Sequence, residues 1–408
     1  MQYHALALAV NDVEVDLIGL EGAPLHSALT SEPRVHSHRL SDRLFKSRAS
    51  RGRTRFVWLS ALRASRQAAG LFTMLMRLPK PDVILVQNPP AVPTLAAAWA
   101  AARMRGSRLI IDWHNLSYTM LAVRLGERHR AVTVVKHSER RWARRADGHL
   151  AVSEALAEWL RREWGVHAAV VRDRPTAVFA KPALEAANDL WQRLARDLGL
   201  GQRRIPIVVC PTSWTADEDF DLLLEALERA ERALNTRLGA PSNGTPDLAV
   251  LMTGRGEMRG TFEKRLSRRD FHRIAVRTTW VEPGEYPTLV GMADAGLCLH
   301  QSSSGLDLPM KLADFRGAGV PVCAFDYGPV LTEVLSNGHE GVTFGEPGEL
   351  ATLLSALAAA DLSAVPKFTA ARAWLAVNPP ERWEEQWRRV ASPVVLGAAT
   401  AAPLTAQG

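Results

Sequence analysis

Short apolar runs of four to six residues, each followed by a helical stretch, recur along the chain and restrict its fold more than any other feature. In the first half they fall at residues 82–87 (DVILVQ), 108–113 (RLIIDW) and 148–153 (GHLAVS), after an alternating strand at 13–20. Helical stretches occupy 93–105 and 132–145. The second half repeats the pattern at 205–210, 248–253, 274–280, 295–300 and 320–325, with helices at 219–234, 286–293 and 311–317. Continuous apolar strands between helices predict parallel sheets covered on both faces. The 408 residues suit two such domains. The fold class expected is α/β: two Rossmann-like doubly wound domains facing a central cleft, where strand carboxyl ends bind ligands. A two-proline stretch at 172–182 separates an N-terminal domain (1–180) from a C-terminal one (181–378). A last helix (379–391) carries Trp383 and Trp387, residues 240–247 form a loop, and 392–408 are expected to be a disordered tail. Residues 1–10 read as a helix, where a doubly wound domain normally begins with a strand and a glycine turn.

Composition narrows the class. A hydrophobic fraction of 47% and a charged fraction of 23% exclude disordered and collagen-like chains. Three cysteines, each inside an apolar run, read as reduced core residues, and no Cys/His group has zinc spacing. The longest near-apolar stretch, 91–102, is 12 residues and too short to span a bilayer. Asp12, Glu14 and Asp16 argue against a signal peptide. Residues 1–180 hold 27 Lys and Arg against 15 Asp and Glu, whereas the remainder holds 23 against 28. A basic first half implies an anionic partner. Arg43, Lys46, Arg48, Arg51, Arg53 and Arg55 run into an apolar helix beginning Phe56-Val57-Trp58. That combination suits attachment to an anionic membrane surface or reception of a lipid-linked diphosphate. No nucleic acid is expected, because aromatics are not interleaved with the cations.

Several segments together carry a resemblance. They are Met1-Gln2-Tyr3-His4-Ala5-Leu6, Gln87-Asn88-Pro89-Pro90, Ile111-Asp112-Trp113-His114-Asn115, Pro211-Thr212-Ser213-Trp214-Thr215 with Asp217-Glu218-Asp219-Phe220, Thr253-Gly254-Arg255-Gly256, and residues 300–309 (HQSSSGLDLP) followed by Met310-Lys311. In this order they resemble the chitobiosyldiphosphodolichol β-1,4-mannosyltransferases, glycosyltransferase family 33. The resemblance implies the GT-B fold, GDP-mannose as donor and inversion at the anomeric carbon. It also implies no cofactor and no obligatory metal. The acceptor implied is a lipid-diphosphate-linked sugar at the cytosolic face of a membrane, with the protein peripherally attached. In that family the segment matching Met1-Gln2-Tyr3-His4-Ala5 follows a strand, a glycine turn and a membrane anchor. The natural protein is therefore expected to extend upstream of Met1. Two alternatives stand beside this reading: a retaining GT-B transferase using another nucleotide sugar, and a non-catalytic relative that binds nucleotide sugar or lipid.

Glycosyl transfer without a metal needs cations and N–H groups for the departing diphosphate. Ser303, Ser304, Gly305, Leu306 and Asp307 precede a helix opening near Lys311. The small residues would let backbone approach phosphate, and Lys311 would reach its oxygens. Removing Lys311 is expected to abolish donor use while leaving folding nearly intact. Ser304 stands near the place of the first glutamate of retaining relatives, and Asp314 corresponds to the second, where it would bond the ribose hydroxyls. Arg255 is expected to contact phosphate or base, and Trp214 is either a stacking wall of the donor pocket or packing. Asp217, Glu218 and Asp219 read as acids at a helix N-terminus rather than a metal site. In the first domain Asp112 and His114 lie at a strand's carboxyl end, where one of them would accept the acceptor hydroxyl's proton. Glu139 is a further candidate, more readily read as the partner of Arg140 or a neighbour. Arg48, Arg51, Arg53, Arg55 and Trp58 form the expected acceptor and membrane segment.

Overall fold

The computed structural model describes residues 1–21, 25–40, 53–201, 203–239, 245–335 and 339–397, with the side chains of Ser27 and residues 53–63 left out. The chain divides into two compact units, Met1–Arg172 with Glu384–Gly408, and Asp173–Trp383. The division falls eight residues before the 180/181 junction expected above, and the C-terminal segment belongs to the first unit.

The first unit opens with α1 (Gln2–Val10), β1 (Val15–Leu20), α2 (Ser27–Thr30) and β2 (Val35–Leu40), followed by α3 (Arg53–Arg77). Next come β3 (Val83–Asn88), α4 (Thr94–Arg105), β4 (Arg108–Trp113), α5 (Ser117–Leu125) and α6 (Arg130–Ala143). The unit's continuous part ends with β5 (Gly148–Ala151), α7 (Glu154–Trp159) and β6 (Ala169–Val170). Strands β1 and β2 form a parallel pair, and β3-β4-β5-β6 a separate four-stranded parallel sheet. Leu109, Ile110, Ile111 and Trp113 of β4 are all buried, as a strand covered on both faces requires. Alanine lets α4 approach the sheet closely, with Ala97, Ala98, Ala101 and Ala102 buried.

In the second unit α8 (Leu184–Asp197) leads into β7 (Ile207–Pro211), α9 (Phe220–Leu238), β8 (Leu248–Thr253), α10 (Arg259–Leu266) and β9 (Ile274–Thr279). They are followed by α11 (Tyr286–Gly291), β10 (Ala295–Cys298), α12 (Lys311–Gly317), β11 (Val322–Phe325), β12 (Gly341–Phe344), α13 (Pro347–Ala358) and α14 (Pro366–Val377). All six strands are parallel, in the order β12-β11-β10-β7-β8-β9. Leu223, Leu224, Leu227 and Leu234 of α9 share one core with Leu350, Leu353 and Leu354 of α13. Each such leucine contributes about 1.5–3 kcal/mol by leaving water. Succession reverses direction between β7 and β10, so the carboxyl ends of these two strands mark the unit's topological switch point.

The chain ends with α15 (Trp383–Gln386), a π-helical turn (Trp387–Ala391) and α16 (Ser392–Leu396). The disordered tail expected from residue 392 is corrected over its first part. Val395 is buried, and Arg108 donates from its guanidinium to the carbonyls of Val394 and Val395. Low sequence complexity hid a helix end that satisfies its last carbonyls with an arginine on β4. Residues 398–408 lie outside the described residues.

Candidate active site

In the first unit, the candidate residues gather at the carboxyl end of β4. Asp112 and His114 are two apart on an extended backbone and share a face. The His114 N–H donates to the Asn88 carbonyl at 2.8 Å, which carries the β3–β4 ladder one residue past the strand. His114 Nε2 lies 2.8 Å from Asp112 Oδ2, and His4 Nε2, from α1, lies 3.2 Å from the same oxygen. Burial alone would raise the Asp112 carboxyl, but His114 and His4 outweigh it and hold it well below the usual carboxylate range. Asp112 is therefore an ionised acceptor, and both ring nitrogens facing it donate. On the other face of β4 the Trp113 indole donates to His149 Nδ1 at 3.2 Å, and burial holds that imidazole down to about 4.

Glu139 plays a different part from the one expected. Its carboxylate is fully buried and accepts from Asn88 Nδ2 at 2.8 Å and from the N–H groups of Ser117 (2.7 Å) and Tyr118 (3.1 Å). It closes the N-terminus of α5 from α6 rather than pairing with Arg140. Burial raises its carboxyl, with those hydrogen bonds opposing.

In the second unit, the candidate residues lie at the switch point, where the loops after β7 and β10 are joined. Gln301 N–H donates to the Asp217 carbonyl at 2.7 Å, and Glu218 bridges His300 in an isolated pair. Glu218 does not serve the N-terminus of α9 as expected. Its side chain is 1% exposed and accepts from the Thr212 hydroxyl, from Ser213 N–H and Trp214 N–H (3.0 Å each), and from Lys311 Nζ at 2.7 Å. Only Asp219 caps α9, accepting from Asp221 and Leu222 N–H groups. Burial works against the Lys311 ammonium, but Glu218 outweighs it and the ammonium's pKa is raised. Glu218 takes one of that ammonium's three donors.

Trp214 is packing rather than a stacking wall, which corrects its placement in the donor pocket. Its ring is 0% exposed, stacked on Phe220, tilted against Phe262, and bonded through Nε1 to the Gly254 carbonyl at 3.2 Å. Its backbone has φ 53°, a left-handed conformation held by the Glu218 carboxylate on its N–H. The glycines of Gly254-Arg255-Gly256 are required by this loop: a Cβ would meet the Thr212 carbonyl at 1.7 Å from Gly254, and the Ser213 carbonyl at 2.0 Å from Gly256. Arg255 between them is exposed and stacks on Trp280, 3.8 Å from the ring centroid.

After β10, serine hydroxyls hold the loop. Ser302 Oγ accepts from Gly305 N–H at 2.8 Å and Ser304 N–H at 3.3 Å, and Ser304 Oγ accepts from Leu306 N–H at 3.2 Å. Ser302 and Ser304 hydroxyls turn to Asp307, whose backbone carbonyl takes the Tyr327 hydroxyl at 2.8 Å. Ser303 is half-buried within this loop and Gly305 takes φ +69°. Asp314, one turn into α12, accepts from the Tyr286 hydroxyl at 3.3 Å, and burial pushes its carboxyl up to about 7.

Sequence reasoning does not single out His300, although it opens the most specific motif. It lies between Asp217 (3.1 Å) and Asp307 (3.3 Å). Burial disfavours its charge, but these carboxylates outweigh it and raise the imidazole to about 9. Because the folded value exceeds the ordinary 6.5, His300 contributes full stability below about pH 6.5 and loses it as pH rises through about 9. His300→Gln is expected to flatten the fall in melting temperature between those pH values. Equal slopes for variant and parent would refute the assignment.

Arg48 and Arg51 lie outside the described residues. Arg53, Arg55 and Trp58 fall on the backbone of α3, but their side chains are outside the described set. Among the described residues, no helix is long and apolar enough to cross a membrane.

The model of a glycosyl transferase 4-like domain matches residues 2–175. The chitobiosyldiphosphodolichol beta-mannosyltransferases of Homo sapiens and Mus musculus are 32% and 31% identical, over 97% of this chain and 89% and 86% of theirs. The chain belongs to this family. It is a glycosyltransferase enzyme, and similarity at this level spans both units. Another relative, from Arabidopsis thaliana, is named UDP-glycosyltransferase TURAN and is 33% identical over 97% of this chain and 94% of its own. Among solved structures, a glycosyltransferase from Rickettsia africae superposes with TM-score 0.60 at 12% identity, over 95% of this chain and 92% of that one. Anabaena HepE in complex with UDP and glucose gives TM-score 0.60 at 14% identity, over 95% and 97%. The two Rossmann-like units are those of the GT-B fold.

Proposed function

We propose that this member of the family transfers mannose from GDP-mannose to a lipid-diphosphate-linked chitobiose-type acceptor, with inversion and without an obligatory metal. The observation that carries the mechanism is the Asp112–His114 pair at the end of β4. With Nε2–H committed to Asp112, His114 accepts the acceptor hydroxyl's proton at Nδ1 as that oxygen attacks the anomeric carbon. The bond from that carbon to the diphosphate breaks, and GDP departs with the electron pair. The Asp112 carboxylate balances the imidazolium that forms. In the second unit Lys311, Arg255 and the Ser303–Asp307 loop are the groups assigned to the donor, with Asp314 on its ribose. Peripheral attachment at a cytosolic membrane face belongs to the same reading, through the basic segment that includes Arg48, Arg51, Arg53, Arg55 and Trp58.

The relatives' printed names support mannose as the sugar and chitobiosyldiphosphodolichol-type lipid as acceptor, and the family resemblance of the motifs supports GDP as the nucleotide. The Arabidopsis relative's name favours a second reading, a UDP-sugar donor. Labelled GDP-mannose and a panel of UDP-sugars, each with polyprenyl-diphosphate chitobiose, separate the two. Label is expected to pass only from GDP-mannose, in EDTA, into a product cleaved by β-mannosidase. Transfer only from a UDP-sugar, or an α-linked product, would overturn the proposal.

A further inference from the structure

The end of the chain supplies the last link of a hydrogen-bonded series that reaches the candidate proton acceptor. Trp387 Nε1 lies 2.9 Å from His4 Nδ1, His4 Nε2 lies 3.2 Å from Asp112 Oδ2, and His114 Nε2 lies 2.8 Å from that same oxygen. All four residues belong to the first unit. Trp387, His4 and Asp112 are buried.

The donor inventory fixes the direction of every bond. An indole nitrogen only donates, so His4 Nδ1 must accept and carry no hydrogen. The neutral ring's single hydrogen is then on Nε2, where it points at a carboxylate that only accepts. Remove the indole N–H and only the Asp112 carboxylate still favours that tautomer. His4 can then also place its hydrogen on Nδ1 and turn a lone pair toward Asp112. That change loosens the hold of Asp112 on the ring that receives the acceptor's proton.

Resting on the proposed role of Asp112 and His114, we propose that Trp387 and His4 are positioning residues: the indole N–H locks His4 as its Nε2–H tautomer, and that N–H orients the Asp112 carboxylate toward His114. Neither residue touches substrate. Their effect reaches the reaction only through Asp112.

The test is a mutant cycle in the full chain, assayed with GDP-mannose and polyprenyl-diphosphate chitobiose. Trp387→Phe keeps the apolar ring and removes the donor. It is expected to lower kcat by about 10- to 100-fold with KM for GDP-mannose unchanged, as for a displaced reacting group. His4→Gln carries an amide N–H at the position of Nε2 and needs no tautomer to be chosen, so its own kcat is the reference for the second background. In that background Trp387→Phe should cost no more than about twofold, because the constraint it supplied is no longer needed. Equal losses in both backgrounds would mean that Trp387 merely packs, and would overturn the proposal, as would an unchanged kcat for Trp387→Phe. Nitrogen-15 shifts of the His4 ring give a readout independent of turnover: Nε2–H is expected in the parent, and Nδ1–H there would refute the assignment. Asp112→Asn is the control for the underlying reading. If it loses activity while Trp387→Phe does not, only the positioning role falls; if it too is unaffected, both fall.

Discussion

Asp112→Asn is expected to lower kcat by about 10²–10⁴-fold while the protein still folds and still binds donor. The amide oxygen can take the place of Oδ2 and still accept from the ring N–H groups that now meet it. It brings no charge to balance an imidazolium at His114, and its NH2 group turns a donor toward a site built for acceptance. Since the carboxyl is held well below the usual carboxylate range, the parent keeps its charge across the whole range in which the enzyme would be assayed. The loss should therefore appear in kcat rather than in KM for the nucleotide sugar, whose assigned contacts are all in the second unit. Steady-state kinetics with a matched thermal melt decides the matter. A kcat within about threefold of the parent would remove Asp112 from the mechanism.

The second large effect is on stability. Lys311→Ala is expected to cost about 2–4 kcal/mol, because it strands the Glu218 carboxylate, buried to 1% exposure, without its cation. The lower end allows for the ammonium being 22% exposed. The loss propagates, since the same carboxylate holds Ser213 N–H, Trp214 N–H and the Thr212 hydroxyl, and with them the left-handed backbone of Trp214. Replacing both partners by uncharged residues of similar shape, Lys311→Met with Glu218→Gln, should recover much of it. Denaturant unfolding of the three proteins provides the comparison. A Lys311→Ala variant within about 0.5 kcal/mol of the parent would show that the pair contributes nothing. This outcome differs from the sequence-based expectation that Lys311 serves donor binding alone and is dispensable for folding. A lysine beside a serine–glycine loop looks free for phosphate until its partner, 93 residues upstream, is brought beside it.

Apart from β1, which reads from its alternation, the strands that read correctly are apolar runs, because an unbroken run as short as residues 248–253 fits a covered strand better than a helix. β2 gives no such run, because Val35–Leu40 is half-exposed and carries polar residues. A signal existed in the paired spacing of Glu14 with Asp16 and His36 with His38, which bond across the two strands. Asp112 and His114 were legible because an acid inside a buried run, two residues before a histidine, is costly unless used. Trp387 and His4, 383 residues apart, were not. Nothing local distinguishes an indole that packs from one that fixes a tautomer. Trp214 reads from the sequence as either a stacking wall or packing, and only the Phe220 and Phe262 contacts reveal that the loop folds around it.

The first unit is discontinuous in sequence, whereas the second is one uninterrupted span. During synthesis on the ribosome, α1 and β4 emerge long before Trp387 and the segment whose carbonyls receive Arg108. The second unit can complete its sheet while the first still waits for its final residues. If the proposed positioning role holds, the tautomer of His4 is thus settled only once Trp387 has been made, after every strand of the second unit.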